Sequence, residues 1–147
     1  MSVARNQCPL PSETDWRREA WTLDIPYAYK HFLGKTREEA VQLFVENSLL
    51  YQEDIMFMPA ACFRYYVHSY MDYLMSDQSA GDSDGASCFF GVVDVRHDDV
   101  RCADEHLKQT VRNVLARLAS RQSWYDASPE IYGDFGVRAD ACLKLLA

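Results

Sequence analysis

Histidine, cysteine and aspartate side chains cluster between residues 97 and 106 of this chain. Cys102 and His106 are four residues apart, and His97 lies just before them. Residues one helical turn apart share a face, so Cys102 and His106 would point the same way if a helix begins by residue 102. Thiolate and imidazole are ligands that zinc takes in tetrahedral sites. A small enzyme with a His97/Cys102/His106 metal centre is therefore one hypothesis, although no paired C-x-x-C or H-E-x-x-H spacing accompanies it.

A second candidate for chemistry is the row formed by Arg64, His68 and Asp72, which recur at intervals of four residues. On a helix, the Asp72 carboxylate could orient the His68 imidazole for proton transfer. The nucleophile would have to be Cys62 or Ser69, and neither lies in a nucleophile signature. Ion pairing along a solvated helix face is the alternative, and it is the interpretation that we favour.

Two other motifs lack parts that their chemistry requires. An EF-hand loop that began at Asp82 would need a glutamate at its twelfth position, where this chain has Val93. Gly34-Lys35-Thr36 matches the end of a phosphate-binding loop but has neither the earlier glycine nor a preceding strand. We therefore expect no metal and no other cofactor, and we predict a solvated loop over residues 76–85.

The elements that must position these residues are predicted to be helices. Thr36 and Glu39 form a capping-box pattern, and Pro59 suits the first turn of a new helix. Apolar residues then recur at spacings of three and four. These signals place helices at about 37–56, 59–75, 103–122 and 137–146. We predict an all-α fold of about five helices in a single domain, 1–147, with an irregular N-terminal arm, 1–30.

The stretch 88–96 is compatible with two structures. Its phenylalanines and valines favour a strand by local propensity. No second convincing strand is present to pair with it, and an unpaired strand would leave backbone groups unsatisfied. We predict a short helix and keep a strand as the alternative.

The aromatic segment 57–73 locates the core. Phe63, Tyr66 and Tyr70 recur at helical spacing after Pro59, and we predict that they are buried together with Leu115. Trp16 and Trp21 suggest that the N-terminal arm docks on this core through its rings.

The same segment carries a family resemblance. Phe57-Met58-Pro59, Phe63, Tyr65-Tyr66 and Tyr70-Met71 resemble the F-x-x-P-x-x-F-x-Y-Y-type stretch found between two helices in a family of small bacterial proteins. The resemblance covers residues 32–76. It implies helices on both sides of Pro59 and implies no activity, because none is established for that family.

Five cysteines, at positions 8, 62, 88, 102 and 142, include no C-x-x-C pair. The odd number favours reduced thiols over a disulfide framework. No apolar run is long enough to span a membrane, and no apolar signal-peptide segment follows the N-terminus. These features predict a cytoplasmic protein with no membrane association.

Negative charge is concentrated in the middle of the chain. Residues 36–99 carry twelve acidic and three basic side chains, a net charge of −9, whereas the flanking parts each carry +1. This sign disfavours nucleic acid as a ligand, because phosphate recognition needs basic side chains. It suits a basic protein partner. The candidate partner-binding residues are Glu46, Glu53, Asp82 and Asp84.

The leading hypothesis is therefore a non-enzymatic interaction protein that binds a basic partner, for example an immunity-type protein that blocks a basic toxin enzyme. The alternatives are the small enzyme that uses His68 and Asp72 or the metal centre, and a structural subunit that self-associates through its aromatic residues. The sequence does not specify the oligomeric state.

Overall fold

The computed structural model describes residues 9–19 and 24–147, and within these residues it contains helices and no strand. The helices are α1 (Glu13–Arg17), α2 (Ile25–Phe32), α3 (Arg37–Phe57), α4 (Ala60–Leu74), α5 (Ser83–Arg101), α6 (Glu105–Ser120), α7 (Pro129–Tyr132) and α8 (Phe135–Leu146), with a 3₁₀ turn at Asp77–Ser79. The all-α prediction is confirmed. The predicted number of helices was too low, because α1, α2 and α7 add to the five long helices. Helix α1 and most of α2 lie in the arm, 1–30, that was predicted to be irregular.

Helix α4 is the centre of the core and is buried on nearly every side. Phe63, Tyr66 and Tyr70 are fully buried, as is Leu115 on α6, so the core prediction is confirmed. Tyrosine is tolerated there because its hydroxyl finds a partner. The Tyr66 hydroxyl donates to the carbonyl oxygens of Phe32, at 2.8 Å, and Lys35, at 2.7 Å. These bonds fasten the end of α2 to α4.

The arm docks on the core through Trp16, as predicted for that residue. Ser12 and Asp15 form a reciprocal capping box at the start of α1. The buried Trp16 ring then lies against Tyr29, at 5.8 Å between ring centroids, and Tyr66, at 6.1 Å. The corresponding prediction for Trp21 lies outside the described residues.

Helix α3 begins as predicted and is interrupted at Asn47. The Thr36 hydroxyl accepts from the Glu39 amide at 3.1 Å, and Glu39 accepts from the Thr36 amide at 2.9 Å. Asn47 has non-helical dihedral angles, φ −161° and ψ 80°, and its side-chain oxygen accepts from the Leu50 amide at 3.1 Å. That is the geometry of a helix N-cap. Asn47 therefore restarts the helix, and this changes which side chains of the second half face solvent.

The strand alternative for residues 88–96 was wrong, and the predicted loop 76–85 ends three residues early, because Ser83 begins α5. Asp82 caps α5 by accepting from the Gly85 amide at 3.0 Å. Phe89, Val92 and Val93 are buried at spacings of three and four, so packing overrides their preference for strands. The segment is the middle of a nineteen-residue helix.

Among the described cysteines, Cys62, Cys88, Cys102 and Cys142 are free thiols, and Cys8 lies outside the described residues. Burial raises the pKa of Cys62 to about 12 and that of Cys142 to about 11. Both therefore act as packing residues. None of the helices in the described ranges combines the length and the apolar composition that a membrane crossing requires.

Candidate functional site

The proposed metal ligands do not converge. The Nδ1 atom of His97 lies 2.8 Å from the carbonyl oxygen of Asp94. The His106 ring instead stacks on the His68 ring, with 5.6 Å between their centroids. Cys102 is exposed at the end of α5. Across residues 9–19 and 24–147, no three His, Cys, Asp or Glu side chains are arranged to hold a metal ion. The geometry therefore gives the metal-centre hypothesis no support.

The His68–Asp72 pair is also not assembled. His68 is buried, and Asp72 is exposed and pairs with the Arg37 guanidinium at 3.7 Å. Burial, followed by the nearby Arg37 and His106, lowers the pKa of His68 to about 4. His68 is therefore a neutral core residue, and the expectation that it lies on a solvated face was wrong.

Three of the four candidate partner-binding residues line one cleft between α3 and the start of α5. Glu46, Asp82 and Asp84 border a space of about 360 Å³, together with Ser48 and Tyr73. No lysine or arginine lines it. We call this space the acidic cleft. The charge pattern of the sequence therefore corresponds to a real cluster in space.

Asp82 has a structural role at the floor of the acidic cleft. One of its carboxylate oxygens accepts from the Ser48 hydroxyl and from the Tyr73 hydroxyl, the latter at 2.6 Å, and the other caps α5 through Gly85. Burial, with a contribution from Asp82, raises the pKa of Tyr73, so the phenol keeps its proton and donates it to this bond. Glu46 and Asp84 are exposed, and Asp84 Oδ1 accepts from the Tyr132 hydroxyl at 2.8 Å.

Glu53 lies on a second cleft, of about 250 Å³, between α2 and α3. Its other lining residues are Asp24, Tyr27, His31, Leu50, Asp54 and Phe57. We call it the apolar cleft, because three large apolar side chains open onto it. Here the structure contains a pair that the sequence analysis missed: His31 Nδ1–H donates to Asp54 Oδ2 at 2.7 Å. Burial raises the pKa of Asp54, and the bond from His31 partly offsets the increase.

No local signal identifies the His31–Asp54 pair, because its members are separated by twenty-three residues. The pair exists because α2 packs against the second half of α3. The amphipathic spacing of Ile25, Ala28 and Phe32, all buried, would have predicted α2. The face of α3 that packs against α2, which carries Asp54, depends on the break at Asn47.

Within residues 36–99, acidic and basic side chains differ in their exposure to solvent. Nine of the twelve acidic residues in 36–99 are exposed, whereas Arg37 and Arg64 are half-buried and Arg96 is buried. Arg96 donates to the carbonyl oxygens of Met56, at 3.1 Å, and Met58, at 2.6 Å, and lies over the Phe63 ring. Arg96 thus stabilises the fold, and the fully exposed charges of the segment are all negative.

In comparisons with known proteins, the chain matches no family model, no curated protein and no solved structure.

Proposed function

We propose that this protein is a non-enzymatic interaction module that binds a basic protein through the surface formed by residues 36–99. One observation carries the proposal: nine of the twelve acidic residues in this segment are exposed, and none of its three basic residues is. A surface of one sign attracts a partner of the opposite sign and accelerates its association. The same sign repels nucleic acid.

The exposed face of α3 is the centre of this surface. Glu46 lies just before the interruption at Asn47 and Glu53 lies after it, and each borders one of the two clefts. In the described part of the chain, neither is engaged in a hydrogen bond or an ion pair. Their charges are therefore not already neutralised, and a partner's lysine or arginine would be their first counterion.

A more specific version of the proposal is an immunity-type role, in which the partner is a basic enzyme that this protein inhibits. The net charge of −7 supports it, since an acidic inhibitor gains steering toward a basic enzyme. A cytoplasmic location belongs to the same proposal. The four described cysteines are free thiols, which is typical of a reducing compartment.

The experiment is affinity capture from the native host, followed by identification of the bound protein. Immobilised wild type is compared with a Glu46→Lys/Glu53→Lys variant. A Glu130→Lys/Asp140→Lys variant is the control, because both of these residues are exposed outside the acidic segment and the change in net charge is the same. We expect a basic protein to be captured by the wild type and the control and lost with the first variant.

Equal capture by all three proteins would show that the acidic surface serves solubility alone. Capture of an acidic protein would also contradict the proposal. If the captured protein is an enzyme, its activity with one equivalent of this protein tests the immunity version.

A further inference from the structure

Three large apolar side chains converge on the apolar cleft although each is well exposed. Tyr27 is 64% exposed, and Leu50 and Phe57 are each 43% exposed. Single exposed apolar residues are ordinary on a protein surface, but a group around one concave site marks an interaction surface.

The arrangement follows from the two helices that form the cleft. After the restart at Asn47, Leu50, Glu53 and Phe57 follow one another at spacings of three and four, so they share one face of α3. Tyr27 and His31 share a face of α2 in the same way. Two helix faces side by side form a groove of the kind that accepts an amphipathic helix.

The walls of this groove are held in place before any partner arrives. His31 is fixed by its 2.7 Å bond to Asp54 and by the Tyr51 ring, which stands perpendicular to it with 5.2 Å between centroids. Arg96 fastens the end of α3 through the Met56 and Met58 carbonyl oxygens, on either side of Phe57. A preorganised groove avoids part of the entropy cost of binding.

The charges around the groove select among possible occupants. Asp24 and Glu53 line it beside the His31–Asp54 pair, and no lysine or arginine does. A second copy of this chain would bring the same carboxylates against these, and an acidic segment would be repelled in the same way. An occupant with apolar side chains flanked by arginine or lysine satisfies both the apolar walls and the acidic rim.

From this geometry we infer that the apolar cleft is the docking groove for a basic amphipathic helix of a partner protein, with the partner's apolar side chains seated between Tyr27, Leu50 and Phe57. The inference rests on the proposed function and specifies where the partner binds and with what chemistry.

The test uses a designed helical peptide of about fifteen residues, roughly four turns, with a leucine stripe flanked by arginines. One control peptide replaces every arginine with glutamate, and a second replaces every leucine with serine. Binding to the full-length protein is measured by nuclear magnetic resonance titration. We expect the first peptide to bind with shift changes centred on Tyr27, Leu50 and Phe57, and both controls to bind at least about tenfold more weakly.

A matched pair of protein variants tests the groove itself. Leu50→Ser/Phe57→Ser removes two exposed walls, and Ile131→Ser/Val137→Ser removes two exposed apolar side chains on α7 and α8. We expect the first variant to bind the arginine–leucine peptide about tenfold more weakly and the second to bind it like the wild type. Because all four positions are exposed, both variants should fold, and circular dichroism checks this.

Several results would overturn the inference. These are the absence of peptide binding, equal binding of the glutamate peptide, shift changes centred on α7 and α8, or a dimer in light scattering that Leu50→Ser/Phe57→Ser dissociates. The proposed function is judged separately. Partner capture that depends on Glu46 but survives Leu50→Ser/Phe57→Ser would reject the groove and leave the acidic interaction surface in place.

Discussion

At the scale of single residues, two histidines lie in very different surroundings. His31 lies at a cleft and donates to a carboxylate, whereas His68 is buried beside Arg37 and stacks on His106. The sequence made His68 a candidate because Asp72 follows four residues later, but the Asp72 carboxylate forms an ion pair with Arg37 instead. Helical spacing predicts which residues could meet, but Ala60–Leu74 is buried on nearly every side, so the spacing of polar residues did not identify a solvated face.

The buried His68 makes stability depend on pH. Its pKa is about 4 in the folded protein and ordinarily 6.5, so between these values the unfolded chain binds a proton that the folded protein does not. The free energy of unfolding therefore falls as the pH drops through this window, by up to about 2–3 kcal/mol from this residue.

Urea denaturation of wild type and a His68→Gln variant at neutral pH and at about pH 4.5 measures this contribution. The variant has no imidazole at this position, so the wild type should lose more stability than the variant on acidification. A difference between the two proteins that stays constant with pH would show that His68 titrates normally.

At the scale of elements, most helices could be predicted from periodicity and caps, and the exceptions have identifiable causes. Asn47 is a polar residue within the apolar pattern of α3, yet it caps the second half of that helix. The residues around Asp82 resemble a loop in composition, yet Asp82 is an N-cap and Gly85 is needed for packing. In both cases the same residue types serve loops and helix starts, and only the tertiary contacts decide between them.

The role of Asn47 as an internal cap can be tested by two substitutions. Asn47→Ala removes the acceptor for the Leu50 amide and should reduce the free energy of unfolding by about 1 kcal/mol. Asn47→Asp keeps an acceptor and should retain most of the stability. Asn47 is exposed, so neither change leaves a cavity. Equal stability of the two variants would mean that the side-chain bond contributes little.

Gly85 and Gly91 lie in the same helix and are expected to respond oppositely to alanine. A Cβ at Gly85 would lie 2.2 Å from Asp82 Oδ2 and 2.6 Å from Ser48 Oγ, whereas at Gly91 the nearest atom outside the helix is Met56 Cε at 3.8 Å. Gly85→Ala should therefore destabilise the protein by about 1–3 kcal/mol, because it forces apart the network at the floor of the acidic cleft.

Gly91→Ala adds a better helix former without a clash and should leave stability unchanged or raise it by up to about 1 kcal/mol. Thermal or urea denaturation of both variants provides the comparison. A Gly85→Ala protein as stable as Gly91→Ala would contradict the close packing of Asp82, Ser48 and Gly85.

At the scale of the whole molecule, composition predicted the sign of the surface but not its layout. The net charge of −9 over residues 36–99 is visible in the sequence. The meeting of Glu46, Asp82 and Asp84 at one cleft requires α5 to pack on α3, and no local pattern encodes that contact. The apolar cleft was not anticipated, because the phase of Leu50 and Phe57 depends on the restart at Asn47. Arginine is usually exposed, but Arg96 is buried, so this segment has one basic side chain fewer on its surface.

The most direct test of the acidic interaction surface is the association rate constant of this protein with its captured partner, measured against salt concentration. Glu46→Lys/Glu53→Lys should reduce the rate at low salt by about tenfold or more and flatten its dependence on salt. Glu130→Lys/Asp140→Lys, with the same net charge, should behave like the wild type. If both variants slow association equally, only the net charge matters; if neither does, the acidic surface is not the binding site, and either result contradicts the account.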